Sequence, residues 1–398
     1  MPLEAIFRRA LEAVDPYRAV ISNWPELSPA STWLLAVGKA APAMARACAE
    51  LLGEQLTGGV VLTKDEHLAG FTHPRLQLFE ASHPVPDQRG LKATEFILRT
   101  LDGLDQRVVV ALSGGASALL VAPVPGLALS DLIEVNRRLL ASGASIEQVN
   151  TLRKHLSLVK GGQLAGRVRG ELVTLALSDV MGSPPAVIGS GPTVADPTTL
   201  AEAQALADSL GLVLPLRETP KPGEAVFARS VYRIVGDNRA LAQAALVAGR
   251  AHFEQVELWS DCVQGEARLV AEQLAAEGRQ RLASGWRGLL VASGETTVTL
   301  SGSGRGGRCQ ELALAFALAA QDTSLRLLAG ASDGTDGPTD AAGAVVDGGT
   351  VAAARSGGLE ASRYLEAHDS YTFFERAGGH LKTGATGTNV NDLLLLVC

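Results

Sequence analysis

Lys39 ends an apolar run in "WLLAVGKAAPAM", and Arg308 follows a cluster of glycines in "GSGRGGRCQE". A cation beside glycine at the end of a strand suits anion binding. Glycine lets backbone N–H groups approach the anion, and the helix that follows favours negative charge at its N-terminus. A third turn of this kind, "ALSGGASALL", brings Ser113, Gly114, Gly115 and Ser117, which fit a phosphate cradle of amides and hydroxyls. Acids close further segments: Asp179 in "LSDV", Asp237 in "VGDN", and Asp333, Asp336 and Asp340 in "SDGTDGPTD". Any two that converge could hold Mg²⁺, which takes one or two carboxylates and completes its shell with phosphate oxygens and water. His83 in "SHPVPD" and His155 in "RKHLS" are candidates for proton transfer.

Familiar motifs with similar spelling fit poorly. A P-loop needs glycine five residues before Gly38 and Ser or Thr after the lysine; Trp33 and Ala40 stand there. "SGGAS" is not the G-x-S-x-G of a nucleophile elbow. Gly302, Gly304 and Gly307 do spell the G-x-G-x-x-G of a dinucleotide turn. That turn wants a continuous apolar strand before it and an acid about 20 residues on, at the next strand end. Here the preceding "TTVTLS" alternates, Asp322 comes before the next apolar run "LRLLAG", and Asp333 comes 31 residues after Gly302.

The elements that must position these residues alternate. Short apolar runs ("TWLLAV", "GGVVLT", "RLQLFEA", "RVVVAL", "ELVTLAL") are separated by helical patterns at about 3–14, 88–101, 129–141 and 145–157. Such alternation predicts parallel sheets covered on both faces. "LLVASGETTVTLS" reads as two strands joined by a Ser-Gly turn, and "NDLLLLVC" as a closing strand. Residues 216–230 are rich in proline and charge and read as an exposed connector, which places a domain boundary near 225. The chain has 398 residues, 46% hydrophobic and 19% charged, enough for two sizeable cores. A net charge of −7 with no basic block longer than two residues argues against nucleic acid. No apolar run is long enough to cross a membrane, and the N-terminal residues lack a signal peptide's apolar core. The four cysteines, Cys48, Cys262, Cys309 and Cys398, are too scattered for a zinc site or a disulfide framework. These features lead to the expectation of a soluble cytoplasmic protein.

In order along the chain, "VGKAAPAM", "HPVPD", "SGGASALL", "NTLRKHLSLVKGGQLA", "LSDV" with "SGPTVADPTT", "SGETTVTLSGSGRGGRCQELALA", "SDGTDGPTDAAGA" and "TNVNDLLLL" make a series. The series resembles the glycerate 2-kinase family, whose C-terminal part is the MOFRL domain and whose members often carry the name hydroxypyruvate reductase. The resemblance implies a two-domain α/β fold, each domain three-layered, with the active site in the cleft between them. Residues 1–225 would form a Rossmann-like domain and 226–398 the MOFRL domain, with the first ~35 residues able to pack with the latter. The activity it implies is ATP- and Mg²⁺-dependent phosphorylation of D-glycerate at the 2-hydroxyl, with a homodimer as a candidate assembly. The family's two key cations fall on Lys39 and Arg308.

On this reading Ser113, Gly114, Gly115, Ser117, Gly304, Gly306 and Gly307 face the nucleotide, and Asp179, Asp333 and Asp336 face the metal. His83, Lys154, Asp237, Asn238, Glu295 and Asn389 are candidates for substrate binding or acid–base work. Two departures stand out. Cys309 replaces the family's usual Asn, and "GSPP" (Gly182 to Pro185) replaces its "GDDP". The competing functions are an NAD(P)H-dependent hydroxypyruvate reductase and a non-catalytic ligand-binding regulator.

Overall fold

The computed structural model describes residues 2–398, which divide into two compact units. One is Pro16–Val235; the other joins the chain up to Asp15 with Gly236–Cys398.

The first unit is built on six strands: β1 (Thr32–Val37), β2 (Leu56–Lys64), β3 (Leu76–Ala81), β4 (Arg107–Leu112), β5 (Leu172–Leu177) and β6 (Ser230–Gly236). Their order is β3-β2-β1-β4-β5-β6, and the β1–β2, β2–β3, β1–β4 and β4–β5 pairs are parallel. Every residue of β1, β4 and β5 is buried. Such unbroken apolar runs belong to strands covered on both faces, as the sequence led us to expect. The order reverses between β1 and β4. In open α/β sheets that switch point opens a crevice at the carboxyl ends of the strands.

Two helices flank this crevice. Ala41–Leu52 starts with proline in its first turn, where a missing N–H costs nothing. Gln88–Asp102 is capped by Asp87, whose carboxylate accepts from the Arg89 and Gly90 N–H groups. β6 begins five residues beyond the 225 boundary read from composition, and it pairs with β5.

The second unit holds β7 (Val256–Glu266), β8 (Leu289–Thr297), β9 (Arg326–Ala331), β10 (Gly343–Asp347), β11 (His380–Leu381) and β12 (Asp392–Val397), in the order β11-β10-β9-β12-β8-β7. Only β7–β8 is parallel; β12 runs antiparallel to both of its neighbours, β8 and β9. The expectation of a parallel sheet is therefore corrected here. The run "LLLLV" demands a position buried on both faces, and it takes one, but burial carries no information about strand direction. A second correction concerns "ASGETT": it is one strand, not two joined by a turn. Gly294 lies inside it and serves close approach, not a turn: a Cβ there would overlap the Val263 backbone on β7.

The helix Pro2–Ala13 also belongs to this unit. Phe7 is fully buried with its ring against Gly330, and the Thr388 hydroxyl donates to the Val14 carbonyl at 2.9 Å. The helix Arg308–Ala319 is buried through most of its length and packs Leu312, Leu314 and Phe316 into the core.

Candidate active-site residues

At the β1/β4 switch point, two loops lock together. The Lys39 N–H donates to the Gly114 carbonyl at 2.9 Å, and the Ala40 N–H donates to Ser113 Oγ at 3.1 Å. Gly38 makes the approach feasible: its φ is +124°, and a Cβ there would overlap Ser113. Both amides after Gly38 are thus spent within the protein, and so is the Ser113 hydroxyl, which is buried. What this turn can offer a ligand is the Lys39 ammonium. It is half-buried and has no carboxylate partner among the described residues.

Around Gly114 and Gly115 the other groups gather. A Cβ on Gly114 would collide with the Asp179 carboxylate, which follows β5. A Cβ on Gly115 would lie 3.2 Å from the His83 ring and 3.3 Å from Lys39 Cγ. Lys39, His83, Gly114, Gly115 and Asp179 therefore share one small neighbourhood.

Burial, then the charges of Lys39 and Lys64 and the nearby His67, hold the His83 imidazole down at about 4. Unfolded, it titrates near 6.5. The folded state thus refuses a proton that the unfolded chain accepts. Stability from this group is complete above pH 6.5 and is lost as pH falls towards 4. Thermal melts of His83→Gln should show a shallower decline than the wild type across that window; identical slopes would count against the assignment.

Other predicted residues of this unit serve the framework. Lys154 is buried and paired with Asp196 at 3.0 Å, and Asp196 also accepts from Thr198 and Thr219. His155 is fully buried, with Nδ1 2.8 Å from the Thr151 carbonyl. Ser117 lies in a hydroxyl chain with Ser190 at 2.9 Å, and Ser190 donates to Asn150. Lys160 was not singled out from the sequence. Its ammonium donates to the carbonyls of Ser117 at 2.6 Å and Leu120 at 3.0 Å, fastening the segment after Gly115. Burial and then Arg153 push it down to about 7.

In the second unit Arg308 stands between two carboxylates. Asp392 takes two parallel bonds, from Nε at 2.6 Å and Nη2 at 2.9 Å, and Glu295 takes one from Nη1 at 2.5 Å. The second Glu295 oxygen accepts from Asn391 Nδ2 at 2.9 Å. Burial alone would lower the Arg308 value, but the bonds and charge of Asp392 outweigh it, so the guanidinium stays a cation. Burial lifts the Asp392 carboxyl to about 7 against the pull of Arg308. Neither Asp392 nor Asn391 was among the residues picked out from sequence. An acid directly before a wholly apolar run was the available signal, because a carboxylate carried into a core requires a partner.

The glycine turn before Arg308 is filled by protein. A Cβ on Gly302 or Gly304 would run into the Ala367 carbonyl, one on Gly306 into Ser370, and one on Gly307 into Asp336. The turn is also tied down: Gly304 N–H donates to Ala367 O, Arg305 N–H to Asp369 Oδ1, and Tyr371 N–H to Arg305 O. Gly304, Gly306 and Gly307 thus let two backbones touch.

Asp336 caps the helix that starts at Arg308. Its oxygens accept from the N–H groups of Cys309 at 3.0 Å and Gln310 at 2.8 Å, and from Gln310 Nε2 at 3.0 Å. Burial raises its carboxyl value despite these bonds. Asp336→Ala would strand the buried N–H groups of Cys309 and Gln310, at about 1–3 kcal/mol each, while Gln310 Nε2 keeps Thr339 Oγ1 as an acceptor. We expect a loss of at least ~2 kcal/mol in denaturant titrations.

Asp237 likewise caps a helix, accepting from Ala240 N–H at 2.9 Å, and Asn238 is buried against Asp261 O and Ser293. Asp333 accepts from Thr335 N–H, Asn389 accepts from Asn391 N–H, and Asp340 pairs with Lys382 at the surface. Among the described residues no group of three or more His, Cys, Asp or Glu is arranged to hold a metal ion. With Asp336 committed to its helix, the acids of this turn do not make a metal site by themselves.

Two family models match the chain: a domain of unknown function, DUF4147, over residues 2–219 and the MOFRL family over residues 288–392. D-glycerate 2-kinase of Thermotoga maritima is 39% identical, over 98% of this chain and 96% of its own. The crystal structure of glycerate kinase from that organism superposes with a TM-score of 0.95 at 37% identity, covering 100% of this chain and 98% of that one. The chain belongs to the glycerate 2-kinase family. A protein of Agrobacterium vitis that carries the name hydroxypyruvate reductase is 41% identical over 98% of this chain and 92% of its own.

Within this family the two departures acquire a setting. Cys309 is buried, and its thiol is raised well above its ordinary range by burial and then by Asp392 and Asp336. It is a neutral neighbour of the Arg308–Asp392 pair. The "GSPP" segment forms a turn with Gly182 and Ser183 at positive φ, closed by a bond from Ser183 N–H to the Val180 carbonyl. Asp179 is the acid that remains on this side. Among the described residues no helix is long and apolar enough to cross a membrane.

Proposed function

We infer that this protein transfers the γ-phosphoryl group of ATP to the 2-hydroxyl of D-glycerate, giving 2-phosphoglycerate and ADP. The observation that carries this reading is the β1/β4 switch point: a half-buried ammonium that makes no ion pair among the described residues, in one neighbourhood with an imidazole held neutral and the Asp179 carboxylate.

Phosphoryl transfer asks a protein mainly for position and charge, because negative charge spreads over the oxygens of the moving group. Lys39 supplies a point charge for those oxygens. His83, held neutral, accepts a hydrogen bond from the attacking hydroxyl and orients it; the hydroxyl oxygen bonds to the γ-phosphorus as the bond from phosphorus to the ADP oxygen breaks, and its proton passes to solvent. Gly114 and Gly115 leave the backbone bare beside these groups. Arg308 grips an oxyanion of a substrate.

Magnesium would reach the protein with the nucleotide, neutralising phosphate charge, and then needs only one or two protein oxygens. Asp179, set against Gly114, is the carboxylate that fits. A reductase would need the 302–307 turn to admit a dinucleotide's pyrophosphate, and its glycines are packed against protein.

Incubation with D-glycerate, ATP and Mg²⁺ should yield ADP and 2-phosphoglycerate in equal amounts. Oxidation of NADH or NADPH by hydroxypyruvate, without ADP release from ATP and glycerate, would overturn the reading.

A further inference from the structure

Arg308 is held unequally on its two sides. Asp392 grips one edge of the guanidinium with two parallel bonds, and its side chain is 4% exposed. Glu295 reaches the remaining nitrogen, and its side chain is 42% exposed. Glu295 lies within β8, paired opposite Gln264 of β7, and its carboxylate is grasped one oxygen at a time: Oε1 by Arg308 Nη1 at 2.5 Å, Oε2 by Asn391 Nδ2 at 2.9 Å. Two donors spaced to meet the two oxygens of one carboxylate form a recognition site for that group.

The backbone keeps both donors in place. Asp392, the first residue of β12, is fixed by pairing on both sides, opposite Gly294 and Ala331. Asn391 precedes it at a φ of +67°, a left-handed conformation that asparagine tolerates. The donors are therefore anchored, and the acceptor, on an equally paired backbone, differs from them in having the more exposed side chain. The charge balance points the same way. One guanidinium between two carboxylates has no positive charge left to attract an anion, so an anion can dock only by taking the place of one of them. The exposed one is Glu295.

We propose that Arg308 and Asn391 form the cradle for the carboxylate of the acid substrate, and that Glu295 occupies this cradle until the substrate displaces it. Asp392 stays on Arg308 throughout and is a positioning residue. The proposal rests on the glycerate kinase reading for the identity of the acid and deepens it. The cradle itself, with or without turnover, is a site for a small 2-hydroxy carboxylate. Glu295 thereby sets a threshold for substrate: part of the substrate's binding energy goes into moving it aside.

Calorimetric titration of D-glycerate, with ATP titrated in parallel, tests this in the intact protein. Glu295→Gln keeps the side chain's shape and loses its charge; it should tighten D-glycerate binding three- to tenfold. Asn391→Asp tolerates the same backbone conformation but replaces a donor with an acceptor; it should weaken D-glycerate binding at least tenfold. Neither should move ATP binding by more than twofold, a split that a general loss of folding would not produce. Unchanged or weaker glycerate binding in Glu295→Gln overturns the proposal, and so does a shift confined to ATP, which would place a phosphate in the cradle. D-lactate, titrated as a second 2-hydroxy acid, separates this proposal from the reading beneath it. If both acids follow the expected pattern while no 2-phosphoglycerate forms, the cradle stands and the kinase reading falls. If glycerate is turned over but its binding is unchanged in both variants, the kinase reading stands and the cradle falls.

Discussion

Lys39→Ala is expected to lower kcat for glycerate phosphorylation by about 10²–10³, the effect of removing one preorganised charge worth ~3–4 kcal/mol in the transition state. The argument rests on what surrounds Lys39. Its own N–H and that of Ala40 are committed to Gly114 and Ser113, so the ammonium is the turn's contribution to a ligand. No carboxylate partner holds it among the described residues, so it contributes nothing to an ion pair. Activity and stability should therefore part company in this variant. Thermal melts should stay level or rise, because a half-buried charge has been removed. A second readout is the His83 imidazole, which Lys39 helps to depress. In an NMR titration its midpoint should move upward in Lys39→Ala. A variant with near-normal kcat, or one whose lost activity tracks lost folding, would sink the assignment.

Arg308→Ala should lower kcat/KM for D-glycerate at least tenfold, equivalent to ~1.4 kcal/mol or more of barrier. It should also destabilise the protein, in contrast to Lys39→Ala. Removing the guanidinium leaves Asp392 buried and without its two bonds, and breaking a buried pair typically costs about 3–5 kcal/mol. That cost should depend on pH in a definite direction. In the folded chain Asp392 titrates at about 7, above the 3.8 of an exposed aspartate. A group raised in this way favours folding below pH 3.8, and the benefit is lost as pH rises through about 7. Without Arg308 the carboxyl moves higher still, and by pH 6 it can relieve its isolation by keeping a proton. The gap in melting temperature between wild type and Arg308→Ala should therefore be wider at pH 8 than at pH 6. Equal gaps at both pH values would show that Asp392 does not bear the cost. Arg308→Lys should recover little, because an ammonium cannot make the two parallel bonds that Asp392 accepts.

Much was legible in the order of residues. Unbroken apolar runs identified β1, β4 and β5 as covered strands, and the helices at 88–102 and 129–141 fall where their periodicity places them. Lys39 stood out as a cation after glycine at the end of an apolar run, and Arg308 as a cation after a cluster of glycines; both are local patterns. So was the departure at Cys309. The direction of β12 was not legible, since four leucines satisfy a central position whichever way they run.

Nor could the sequence separate residues that face a ligand from residues that face the protein. Asp336, Lys154 and Ser113 have the types expected of a site, yet their polar atoms are spent on a helix end, an ion pair and a neighbouring loop. Gly302 to Gly307 carry a dinucleotide spelling because two backbones touch there. Asn391 and Asp392 gained their roles only when β12 was inserted beside β8, setting them against Glu295 and Arg308. Local chemistry is written in single residues and short spacings, so the sequence alone determined the strands, the cations and the class of reaction they suit. Partnership depends on which segments meet across a sheet. Only the tertiary structure could decide which charges are paired, with which partner, and which stand without an ion pair.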